Sequence, residues 1–193
     1  MVSVRTVLVS LGIAFTAYLA ARGLLWTGGS VEQPVVLVVA FLLYLITTLL
    51  CLFVNAPLPD DVDDAAVTDD GSRRVARLPR WVSALAVVTS VIVPNAIMLS
   101  VAPESRSAPF ATWYIGGIGA LMVIVMVRRR TWVAWSGIAL LAAASMAWLG
   151  PLQALALGLV GSVMWVVVAQ LLLRSLDRAA RDTSRLAQLQ RAA

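Results

Sequence analysis

Three aspartates, Asp60, Asp61 and Asp64, stand at a D-D-x-x-D spacing. Carboxylates so placed can hold Mg²⁺ against a diphosphate, because hard oxygen ligands suit that small cation. The motif occurs once, in a stretch opened by Pro57 and Pro59. Asp69, Asp70 and Gly71 complete neither a second copy nor a calcium loop. Runs of like charge are usually solvated, so the reading is an acidic loop. The three aspartates remain the only metal candidates, and no cofactor is expected.

Other reactive types are sparse. Cys51 is the single cysteine and lies within an apolar run, and the chain has no histidine. An internal disulfide and a thiol–imidazole pair are therefore both excluded, and Cys51 reads as a small hydrophobe. Thr89, Ser90 and Asn95 share one apolar stretch, and Gln153 and Gln170 flank another. Such residues line a small polar pocket or join helices by hydrogen bonds worth about 0.6 kcal/mol each. The second reading is favoured. No catalytic residue is identified.

The elements that must position these residues are set by composition. Hydrophobic residues make up 61% of the chain and charged residues 13%, against about half and a quarter in soluble domains. A helix crosses roughly 30 Å of hydrocarbon with about 20 apolar residues. The sequence predicts an all-α polytopic membrane protein with six spans, at about residues 6–26, 34–55, 81–102, 110–127, 131–149 and 152–173. A cleaved signal peptide is the rival reading of the first, but its small residues Ala20 and Ala21 are poorly spaced for cleavage. Residues 56–80 are expected to form a flexible cytoplasmic Asp/Arg loop. Pro94 with Asn95 marks a kink inside the third span. Gly116 and Gly117, beside Gly119, and Gly158 with Gly161 are expected to let helices approach closely.

The span interiors hold no Asp, Glu, Lys, Arg or His. Intramembrane ionisable residues mark proton relays and ion paths. Their absence argues against a proton-coupled transporter, an ion pump and an intramembrane metalloprotease.

The net charge of +5 comes from 15 arginines placed at the ends of apolar runs. A nucleic-acid partner would call for one folded basic surface instead, so none is expected. Six spans put thirteen arginines on one side, from Arg5 through the Arg128–Arg130 triplet to Arg191, and leave only Arg22 and Arg106 on the other. The positive-inside rule then sets both termini in the cytoplasm. Trp26, Trp81, Trp113, Trp132 and Trp148 lie near span ends, where indole rings prefer the headgroup region. Arginine without lysine, among abundant Ala, Val and Leu, suggests a GC-rich bacterial genome. The expected location is a bacterial cytoplasmic membrane, and the first partner is the bilayer itself.

Past Leu173 the chain turns polar, but no Gly or Pro interrupts it. Leu176, Ala179, Thr183 and Leu186 recur at steps of three and four, as on one helix face. Arg174 opens this cytoplasmic segment of residues 174–193, which reads as the start of a coiled coil or as an amphipathic tail on the bilayer. Compact spans followed by this Arg174–Ala193 exit helix resemble the membrane-embedded input region of sensor histidine kinases from high-GC bacteria. The resemblance implies a sensory and dimerisation module whose exit helix, with Arg174, Leu176, Ala179 and Leu186 as its output positions, continues into a phosphoaccepting domain. With no histidine here, any kinase chemistry would lie beyond Ala193. The implied partner is a second copy. The alternatives are a small accessory subunit bound to a membrane protein partner, and a small transporter.

Overall fold

The structure is a computed structural model that describes residues 31–55 and 78–192, with Ala14 and Tyr18 as isolated helical positions. The expected first span otherwise lies outside the described residues. So do most of the Asp/Arg loop and its metal candidates Asp60, Asp61 and Asp64. Among the described residues 88% are helical and no strand occurs.

Among the described residues, five helical segments are long and apolar enough to cross a membrane. Helix α1 is Pro34–Phe53, α2 is Arg80–Ser100, α3 is Pro109–Arg128 and α4 is Thr131–Leu149. The last segment starts as a short α5, Pro151–Ala154, widens into a π-turn over Leu155–Leu159, and continues as α6, Val160–Ala192. Pro34, Pro109 and Pro151 open three of these helices. That position suits proline, whose missing N–H has no helical partner there in any case. Gly150, at φ 82°, takes the left-handed turn between α4 and α5.

Helix α3 is the centre of the bundle. It packs against α1, α2, α4 and α6, and α2 packs against α1 and α4. Of its most apolar stretch, 72% is buried within the chain, against 17% for the Pro151–Ser175 span. The core comes largely from α3, through Tyr114, Ile115, Ile118, Leu121 and Met122, all fully enclosed.

Polar side chains stitch helix to helix. Tyr44 Oη donates to the Gly117 carbonyl at 3.1 Å, joining α1 to α3. Thr47 and Thr89 share a hydroxyl–hydroxyl bond of 3.1 Å between α1 and α2. Trp135 Nε1 donates to Gln170 Oε1 at 2.9 Å, joining α4 to α6. The Trp113 ring meets Phe41 and Tyr44 edge-on, with centroids 5.5 and 5.2 Å apart. Thr89 and Gln170 thus act as connectors. Ser90 bonds its own helix at Ala86, and Gln153 is exposed.

The last span corrects two expectations. It is not one regular helix over residues 152–173, because Gly158 sits at φ 121°, outside helical geometry, within the π-turn. Nor are Gly158 and Gly161 close-packing positions within this chain. A Cβ added at either would meet nothing within 4 Å. Gly158 is needed for its backbone angle, not for its lack of bulk. Glycine allows a close approach at Gly137, against the Met122 side chain, and at Gly119, where an added Cβ would lie 2.7 Å from Ser162 Cβ. Ser162 Oγ donates to the Ile115 carbonyl at 2.8 Å across the same contact. This seats α6 on α3 just after the π-turn.

A pair of substitutions tests this seat. Gly119→Val forces α3 and α6 apart and is expected to destabilise by about 1–3 kcal/mol, the usual cost of overpacking. Gly161→Ala is expected to leave stability unchanged or slightly raised, because the added methyl is unopposed. Thermal unfolding of both variants in the same detergent reads the difference.

Candidate functional site

No cluster of metal-ligating side chains occurs among the described residues. The polar groups that do converge lie at the two ends of the bundle, and each group is organised by arginine.

At one end, the last turn of α1 meets the end of α3. A helix leaves its final carbonyls without intrahelical partners. Arg128 fills that need for α1. Its Nη1 donates to the Cys51 carbonyl, and its Nη2 donates to the Val54 carbonyl at 2.8 Å and to Asn55 Oδ1. A guanidinium suits this task because its donors are fixed in a planar fork. Its charge also opposes the negative end of the α1 dipole. Arg129 acts on the other side of the Asp/Arg connection. Its Nη1 donates to the Leu78 carbonyl at 3.2 Å, while the Leu78 N–H donates to the Arg128 carbonyl at 3.1 Å. Leu78 itself is fully buried. Arg128 and Arg129 therefore hold Asn55 and Leu78, one on each side of that connection.

At the opposite end, Arg106 follows the one-turn 3₁₀ helix Pro103–Ser105. Its Nε donates to the Met98 carbonyl at 3.0 Å, capping α2 as Arg128 caps α1. Its guanidinium also lies over the Trp148 ring, 4.8 Å from the centroid, in a cation–π contact. Trp148 Nε1 then donates to Asn95 Oδ1 at 2.9 Å, and Asn95 Nδ2 donates to the Val91 carbonyl at 2.7 Å. The expected hinge at Pro94 and Asn95 is therefore wired outward. A chain of contacts runs from the Arg106 turn through Trp148 on α4 to the interrupted ladder of α2. The Glu32 N–H donates to the Ser100 carbonyl at 2.9 Å, and Val31 pairs with Val101, so the start of α1 closes the same end.

Between the two ends, Tyr114 and Ser145 are fully buried on α3 and α4. Their hydroxyls face each other, but neither completes a hydrogen bond of good geometry.

The candidate positions sort plainly. Asn95 and Gly117 take part in separate interhelical hydrogen bonds, and Pro94 is buried next to Asn95 in α2. Gly116 is half-buried on the same turn of α3. Arg174 and Ala179 are exposed on α6, and the backbone of Leu176 and Leu186 is helical. The arginine clamps escaped sequence reasoning, which treated these residues as topological anchors. Their signal was an arginine directly at a helix end facing another helix end.

Removing the first clamp has a definite expected effect. Arg128→Gln strips the α1 carbonyls of a charged donor and should cost about 1.5–3 kcal/mol. Arg128→Lys recovers only part, because an ammonium cannot reproduce the fork. Thermal unfolding, with amide hydrogen exchange read over Cys51–Asn55, checks both.

No curated protein and no solved structure matches the chain. A family described as Domain of unknown function (DUF8320) matches residues 74–176, from just before the buried Leu78 to the point where α6 turns polar, and leaves α1 outside the match. With more than half of its length matched, the chain belongs to that family.

Proposed function

We propose that this chain is a multi-pass sensory and dimerisation module of a bacterial cytoplasmic membrane, of the kind that precedes the catalytic core of sensor histidine kinases. In this reading six spans cross the bilayer, with residues 6–26 as the first, and both termini face the cytoplasm. A stimulus repacks the helices. Helix α6 carries the change across the membrane surface as a rotation or a shift along its axis.

One observation carries the reading most. Helix α6 runs unbroken from Val160 to Ala192, through the end of the apolar span and on into the charged segment. A helix of that length has no joint at which a displacement would be lost. At about 1.5 Å per residue, the part beyond Leu173 reaches roughly 30 Å past the apolar stretch. The break at Gly158 lies just upstream, where the backbone leaves helical geometry. The Arg106–Trp148–Asn95 chain gives the far end of the bundle a contact path to the Pro94 kink.

A second reading draws on the poor enclosure of the last span. Met164, Trp165, Leu171 and Leu172 are each more than half exposed. A small accessory subunit docked on a different membrane protein would also use such a face. Purification in mild detergent separates the two, because an accessory subunit brings a stoichiometric partner and a sensory module comes as a homodimer.

Cross-linking tests the first reading directly. Leu176→Cys and Leu186→Cys, each in a Cys51→Ser background, are expected to give disulfide-linked dimers in native membranes on mild oxidation. Arg178→Cys and Arg181→Cys, placed off that face, should give markedly less. Absence of a dimer at both leucine positions refutes the module.

A further inference from the structure

We propose that the chain binds the headgroup of an anionic phospholipid between the starts of α2 and α4, with Arg80 and Arg130 as its ligands. The two helices run parallel and pack against each other. Their starts are tied together by the reciprocal link between Leu78 and Arg128–Arg129. Arg80 stands two residues past Leu78, and Arg130 stands one past Arg129. Both are exposed. Among the described residues neither guanidinium has a hydrogen-bond or ion-pair partner, whereas Arg128, Arg129 and Arg106 are all engaged on carbonyls.

The surroundings favour a negative group. Neither α2 nor α4 has a side-chain cap or an acidic residue in its first turn. Two positive helix ends and two uncommitted guanidinium groups thus share one patch with no described counter-charge. The occupant is a lipid rather than a free anion because of what flanks the arginines. Trp81 and Trp132 are 57% and 65% exposed, one residue past Arg80 and two past Arg130. Indole rings of this kind sit at the headgroup level of a bilayer. Below them, Val88 and Ile92 of α2 and Leu140 of α4 offer an exposed apolar wall for acyl chains. A phosphate with hydrocarbon attached matches all three layers, and a soluble anion matches only the first. Basic pockets between helices near the membrane surface bind lipid headgroups in the same way.

The inference rests on the bilayer placement in the proposed function but not on dimerisation, so the cross-linking result and the lipid result fail independently. The test uses the full chain in nanodiscs of phosphatidylcholine carrying a fixed share of brominated lipid, either phosphatidylglycerol or phosphatidylcholine. Tryptophan fluorescence should be quenched more by the brominated anionic lipid. Trp81→Phe with Trp132→Phe should remove that excess. Arg80→Gln and Arg130→Gln should each lower the preference about fivefold, the effect of one basic residue near an anionic surface. Arg80→Lys with Arg130→Lys should retain most of it, which guards against a folding defect. Arg174→Gln with Arg178→Gln should leave it unchanged. Equal quenching by the two lipids in the parent chain overturns the proposal, as does a preference insensitive to both glutamine variants. Loss of the excess on adding inorganic phosphate, but not chloride of equal ionic strength, reassigns the site to a soluble anion and likewise overturns it.

Discussion

A helix that ends inside or beside hydrocarbon carries carbonyls that water cannot reach easily. This constraint governs how the bundle closes at both ends. Arg128 answers it for α1 and Arg106 answers it for α2. Arg128 reaches its carbonyls from a segment distant in sequence, so its cap is also a tertiary tie, whereas Arg106 closes α2 from the turn that follows it and ties that end to α4 through the Trp148 ring. Satisfying the backbone and fixing the helix arrangement become one event. Hydrogen bonds to charged groups are worth more than neutral ones, which suits a bundle whose other described helix-to-helix connectors are uncharged hydroxyl, amide and indole groups.

Between these ends the packing is graded. Helix α3 is enclosed by its neighbours, while the last span shows most of its surface to the surroundings. The contact between Gly119 and Ser162 joins the most enclosed helix to the most exposed one. It comes directly after the Leu155–Leu159 π-turn. Family membership extends over this same core, from just before Leu78 to the point where α6 leaves the apolar region. The matched stretch takes in α2 to α4 and the apolar part of the last segment, and leaves α1 outside.

Much of this was legible in the sequence, because the bilayer allows few solutions. Apolar length marked α1, and apolar length with flanking arginine marked α2 to α4, to within a few residues. Pro34, Pro109 and Pro151 marked starts, and Gly150 marked a turn. The unbroken helix past Leu173 followed from the absence of Gly and Pro. Hydrogen-bond partners were not legible. Nothing local to Trp148 says that its N–H meets Asn95, since the two are brought together only by the packing of α2 on α4. Glycine contacts within the chain were not legible for a related reason. Gly158 and Gly161 have the spacing of a contact motif, but spacing does not reveal which face meets the rest of the chain. Gly119 sits in a run with Gly116 and Gly117, and only the position of Ser162 singles it out.

The choice of arginine at both clamps has a consequence for what can perturb them. A guanidinium keeps its proton at any pH a cell experiences, and the chain contains no histidine. Acidification within the physiological range therefore leaves both closures intact. Loosening them takes mechanical work, such as thinning or stretching of the surrounding film, or a competing acceptor that draws a guanidinium off its carbonyl.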